Sequence, residues 1–121
     1  LPEQQAAMAI GGVHLTVALA VTPAQQALGL GGRTGLPANT GMLFMFPQDG
    51  KYAFWMKDMH FPIDIIWLAS DGTVAYLVPD LSPSTYPQSY APNTPARYVL
   101  EVPANFAAQH KIVVGTKAVL P

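Results

Sequence analysis

Four ionisable side chains, Lys57, Asp58, His60 and Asp64, sit in the most apolar stretch of the chain, FWMKDMHFPIDIIWL, residues 54–68. Acids and bases held among apolar neighbours are candidates for acid–base chemistry or ligand recognition, because burial and nearby charge both shift titration. Read as a strand, PIDIIWL puts Asp64 on one face with Ile66 and Leu68, and Ile63, Ile65 and Trp67 on the other. A carboxylate placed there needs a cation or several hydrogen-bond donors. Arg33, Lys57 and Arg97 are the available cations, and one of them is expected to pair with Asp64. Glu101 raises the same question in RYVLEV, where it lies between Leu100 and Val102 and shares a face with Val99. Lys57 shares a face with Trp55, which would seat an ammonium group near an indole ring.

Three chemistries fit these residues. Arg33, Lys57, Asp64 and Glu101 could line one polar site with Trp55 as an aromatic wall, suited to a sugar or to a zwitterionic or anionic fragment. Alternatively, Asp64 and Glu101 could be paired carboxylates of a hydrolase, glycoside hydrolysis being one case, if their carboxyls lie about 5–10 Å apart across a cleft. In the third reading the charges are structural pairs that close a small barrel, and the domain serves as a structural or accessory partner. No nucleophile elbow, phosphate loop or triad is present, and GLGGRTG lacks the Lys-Ser/Thr ending of a nucleotide loop. A binding module is therefore preferred to an enzyme, and no catalytic residue is assigned. His14, His60 and His110 are scattered, and Asp58, His60 and Asp64 match no zinc spacing. The methionine pairs in MLFM and MKDM read as core filler. No metal and no cofactor are expected.

Composition narrows the classes further. Only 11% of the 121 residues are charged, so each charge set among apolar neighbours carries unusual information. The basic residues Arg33, Lys51, Lys57, Arg97, Lys111 and Lys117 are dispersed, which argues against a nucleic-acid partner. No apolar run approaches the ~18 residues of a membrane span, so no integral membrane segment is expected. Cysteine is absent, which removes disulfides and thiol catalysis. Nothing in the composition speaks to oligomeric state.

The length indicates one domain. LPEQQAAMAIGG, residues 1–12, is small, polar and aperiodic, and is expected to be a disordered or extended stub of the kind signal-peptide removal leaves. The domain proper is expected over residues 13–121. VHLTVALAV alternates with period two and reads as a half-buried strand. Thr22, Pro23 and Gln25 then make a capping box ahead of a short helix, which Gly29, Gly31 and Gly32 must end. GMLFMF and KYAFWM flank PQDG and read as a hairpin; PIDIIWLA, SDG and TVAYLV read as a second. Residues 79–95, with their prolines and tyrosines, are expected to form a long loop over the mouth of the site. RYVLEV is another strand, PANFAAQH a helix begun by proline, and KIVVGTKAVL a closing strand. The sum is about seven strands and two short helices without βαβ alternation: a mainly β, compact, largely antiparallel, barrel-like fold.

The ordered segments GLGGRTGLPANTGMLFMF, FWMKDMHFPIDIIWLASDG and RYVLEVPANFA closely resemble the DUF192 family, small bacterial and archaeal domains without an assigned biochemical function. The matching positions are Gly29, Leu30 and Arg33; Gly41 to Phe44 and Phe46; Trp55 to Lys57, Pro62 and Asp64; Asp71 and Gly72; and Tyr98 to Glu101 with Pro103. Gly31 stands where the family often has methionine, and Asp58-Met59 replaces a common Asn-Thr. Many bacterial members look exported, so the resemblance implies a periplasmic or secreted location. The expectation is an envelope domain binding a small molecule or glycan fragment through Arg33, Trp55, Lys57, Asp64 and Glu101.

Overall fold

The computed structural model describes residues 3–121; Leu1 and Pro2, at the start of the expected stub, lie outside them. The strands are β1 (Gln5–Ile10), β2 (Val13–Ala20), β3 (Thr40–Gly50), β4 (Phe54–Trp55), β5 (Ile63–Leu68), β6 (Val74–Leu81), β7 (Ser89–Tyr90), β8 (Ala96–Pro103) and β9 (Ala118–Val119). The helices are α1 (Pro23–Leu28) and α2 (Phe106–His110), with one 3-10 turn over Pro83–Thr85. Seven strands form one curled, half-barrel sheet in the order β6-β5-β8-β3-β2-β1-β9, and β4 pairs with β7 in a small second sheet. Every pair is antiparallel except β2 with β3, whose connection runs through α1.

Alternation along these strands gives the large sheet two apolar faces. Leu15, Val17, Leu43, Ile66, Leu68, Leu100 and Val102 pack on one face, closed by Phe106 and Ala107 of α2 and by Ile112. Ala18, Ala20, Met42, Phe44, Ile63, Ile65, Trp67 and Val99 pack on the other with Leu30, Met56 and Met59. β5 is buried along its whole length because both faces are covered. That explains its near-continuous apolar sequence.

Several expectations change. Residues 5–10 are not a stub but a sheet strand, since Gln5 to Ile10 pair with Ala18 to Val13. Its Met8 and Ile10 reach the core while Ala6, Ala7 and Ala9 hide the alternation. GMLFMF and KYAFWM do not form a hairpin. β3 runs on through PQDG to Gly50: β2 pairs with it only as far as Phe44, while β8 pairs up to Met45 and again at Gly50, and the register shift between them absorbs Pro47, which has no N–H to give. Pro103 ends β8 rather than starting a helix, and α2 begins after Asn105. Of the expected closing strand, Ala118–Val119 pairs with β1, and Lys117 adds a single antiparallel bridge to Thr73. The second hairpin, β5 with β6, forms as read, and its Asp71-Gly72 turn places Gly72 at φ 87. A side chain on Gly72 would meet the Ala118 carbonyl at 2.6 Å. Thr73 N–H donates to Asp71 and holds its carboxyl below the usual carboxylate range.

Candidate functional site

A pocket of about 350 Å³ opens on the sheet face covered by α1, at the lower end of the range for small-molecule sites. Each of its sides follows from local sequence. The capping box forms as expected: Gln25 N–H donates to Thr22 Oγ1 at 3.1 Å, and Thr22 N–H to Gln25 Oε1 at 3.0 Å. That holds α1 over the sheet and carries Gln26 and Leu28 to the pocket. Gly29, at φ 52, ends the helix, and the chain folds back so that Gly32 N–H reaches the Asp58 carbonyl at 3.0 Å. Asp58 itself is left-handed at φ 59, a conformation that asparagine and aspartate adopt more readily than most residues. This explains why aspartate can replace the family's common asparagine there.

The floor belongs to β8. Glu101 pairs with Met42 of β3 on one side and Ile65 of β5 on the other. It is 4% exposed, lines the pocket, and makes no hydrogen bond or ion pair among the described residues. Burial pushes its carboxyl up to about 8. At neutral pH it is mostly a neutral acid. The walls are aromatic: Phe44 meets Phe54 edge-on at 4.8 Å between centroids, and Phe46 stacks on Tyr52 at 3.7 Å. At the rim, Trp55 is 47% exposed, and Lys57 Nζ lies 5.8 Å from its ring centroid. Glu101, Trp55 and Lys57 therefore come together as the sequence suggested.

Arg33 and Asp64 do not join them. Arg33 forms an ion pair with Glu3 beside a smaller hollow of about 160 Å³. Asp64 pairs in register with Val102 and so lies on the opposite face of the sheet from Glu101. Two carboxylates separated by a sheet cannot share a substrate, and the paired-carboxylate hydrolase has no geometry to act through. The cation expected beside Asp64 is also missing among the described residues: Arg97 pairs with Asp49 at 2.8 Å, Arg33 with Glu3, and Lys57 sits over Trp55. Three backbone amides hold Asp64 instead. Asp80 and Asn105 N–H donate to Oδ1 at 2.8 and 3.2 Å, and Ala107 N–H to Oδ2 at 2.8 Å. Asn105 is the N-cap of α2, at φ 74, and makes no side-chain cap bond. Asp64 thus caps α2 from another strand and satisfies N–H groups that a helix start leaves unpaired.

The expected loop over residues 79–95 starts later, because Pro79 to Leu81 belong to β6 with Leu81 paired to Ile63, and the remainder is tied down beside the pocket rather than laid across it. β7 pairs with β4, and Tyr86, 45% exposed, lies 5.1 Å from Trp55 between ring centroids. Trp67 is core, as its strand position implied: it is fully buried, with Nε1–H donating to the Tyr52 carbonyl at 2.9 Å. Sequence reading missed Gln26, Phe44, Phe46 and Phe54 as pocket residues. Phe44 and Phe46 lie in the segment that carries the resemblance, which was the available signal. Gln26 bears no mark in the sequence.

Fold and pocket together define a small, mainly β domain with an aromatic-lined cavity against one face of a curled sheet. A family model for DUF192, described as "Uncharacterized ACR", matches residues 6–120, and the chain belongs to that family. Two crystal structures share the fold. One, a proposed transcription regulator from Sinorhizobium meliloti 1021, is 28% identical, with a TM-score of 0.92 over 98% of this chain and 95% of that one. The other, a protein of unknown function from Novosphingobium aromaticivorans DSM 12444, is 29% identical, with a TM-score of 0.89 over 97% of this chain and 86% of that one. No curated protein matches the sequence.

Proposed function

We propose that this domain is a small-molecule binding module of the cell envelope, periplasmic or secreted, whose ligand, a glycan fragment or a compound of similar size, enters the pocket above Glu101. One observation carries the reading: a buried carboxyl lines a cavity and has no protein partner among the described residues. Buried polar groups are almost always satisfied, so an unpartnered acid open to a cavity is the mark of a group kept for something that enters. Trp55 and Lys57 at the rim supply an apolar wall and a positive charge. Arg33 and Asp64 have structural partners, and the site is built without them. The description of the Sinorhizobium neighbour as a regulator is not carried over, because the six basic residues here are dispersed.

The test is a fragment and metabolite screen on isotope-labelled protein, read by amide and indole chemical shifts. Hits should move the signals of Gly29, Gly31 and the Trp55 indole together. A screen whose hits all map elsewhere, or that finds none, removes the pocket as a binding site. Cell fractionation with an antibody to the chain checks the location, and a purely cytosolic signal would overturn that part.

A further inference from the structure

Which chemistry the pocket would accept can be read from its uncommitted polar atoms. Both N–H groups of the Gln26 amide are already used, donating to the Ala20 carbonyl at 3.2 Å and the Met45 carbonyl at 2.9 Å. Only its oxygen is left for a ligand. The Glu101 carboxyl is likewise without a donor among the described residues. The uncommitted oxygens of Gln26 and Glu101 are thus surrounded by rings, and the uncommitted side-chain donors lining the pocket among the described residues, Lys57 Nζ and the Trp55 indole N–H, stand apart from them at the rim. Aromatic faces carry negative electrostatic potential and attract cations. Lys57 already shows the effect at the rim, where its ammonium lies over the Trp55 ring.

Resting on the binding-module reading, we infer that the pocket selects an organic cation, an ammonium or amidinium group on a small apolar body, placed against Glu101 between Phe44, Phe54 and Trp55. An entering cation makes ionisation of Glu101 favourable, so binding releases the proton the acid holds up to about pH 8. A neutral or anionic ligand would instead use the protonated acid as a donor and would bind less well above that pH. Tyr52, Lys57 and Asp58 are the other titratable groups lining the pocket. α1 carries no charged residue, and β3 and β5 meet Glu101 with Met42 and Ile65.

Isothermal titration of the whole chain with three probes decides the matter: benzyltrimethylammonium, a permanent cation; benzyl alcohol, neutral; and phenylacetate, an anion. The cation should bind best. Its affinity should rise about tenfold per pH unit well below pH 8 and level off beyond it, a gain of roughly a hundredfold between about pH 6 and pH 9. Glu101→Gln should weaken binding and flatten that profile. Stronger binding of benzyl alcohol or phenylacetate, or a cation affinity indifferent to pH, overturns the cation inference but leaves the pocket a binding site. Failure of all three probes overturns the inference too, and the fragment screen then separately decides whether the pocket binds anything. Because the profile is measured on the unmodified protein, the inference stays testable even if Glu101→Gln does not fold.

Discussion

Asp64 and Glu101 stand one register step apart on neighbouring strands, yet they are opposite kinds of buried acid. Asp64 is saturated with donors, so its loss leaves three amides without acceptors. Asp64→Ala should cost roughly 3–5 kcal/mol, at about 1–3 kcal/mol per orphaned buried donor with partial relaxation, measured by urea unfolding. Asp64→Asn should not rescue it fully, because the amide nitrogen would then face an N–H on one side. A wild-type unfolding midpoint in either variant would refute the capping role. Glu101 has the reverse signature. Above about pH 4.5 the unfolded chain releases a proton that the folded chain keeps up to about pH 8. Stability should therefore fall as pH rises through that window, by at most about 1.4 kcal/mol per unit, and level off above it. In Glu101→Gln this contribution should vanish, leaving the variant more stable than wild type near pH 8. Parallel pH profiles for the two proteins would contradict the assignment of the slope to Glu101.

At the scale of elements, the pocket depends on two close approaches. β3 runs so near β8 that a side chain on Gly41 would sit 2.5 Å from the Glu101 carbonyl oxygen. Gly41→Ala should push the strands apart and cost roughly 1–3 kcal/mol or more. It should also weaken ligand binding, because the displaced backbone is that of Glu101 itself. A variant of unchanged stability and affinity would mean that the strands yield freely there. α1 is the second case. It is six residues long, buries no residue fully, and rests on its capping box. Thr22→Ala should lower stability by about 1 kcal/mol. Faster amide exchange over Gln25 to Gly29 would show that the pocket lid, rather than the sheet, has loosened; exchange unchanged there would count against it.

The molecule as a whole was readable where one segment decides its own structure. The period-two run of β2, the capping box, the β5–β6 hairpin and the burial of Trp67 follow from neighbours within a few residues. What failed depends on partners far along the chain. PQDG has turn composition, but β8 pairs with β3 up to Met45 and again at Gly50, across a register shift, and so keeps the chain extended through it. β1 is nearly all alanine on its outward positions, and its strand character comes from pairing with β2. β4 and β7 are two residues each and exist only against one another. For the site, an acid among aliphatics was visible twice, but which face each occupied hung on register. The amides that hold Asp64 come from residues 80, 105 and 107, and backbone groups carry no sequence label.

The placement of β3 also bears on how the chain is made. One neighbour of β3 is β2, already synthesised, but the other is β8, which begins at Ala96. Until then the apolar segment Gly41–Phe46 has an open strand edge. At roughly 5–20 residues per second, the 45 residues between Gly50 and Ala96 take several seconds to emerge. Unpaired apolar edges of this kind are where nascent chains aggregate. Ribosome-held chains stopped before residue 96 should crosslink to general chaperones through the Gly41–Phe46 segment, and chains carried past residue 103 should lose that crosslink. Equal crosslinking at both lengths would mean that β8 is not the strand that releases the nascent domain from its escort.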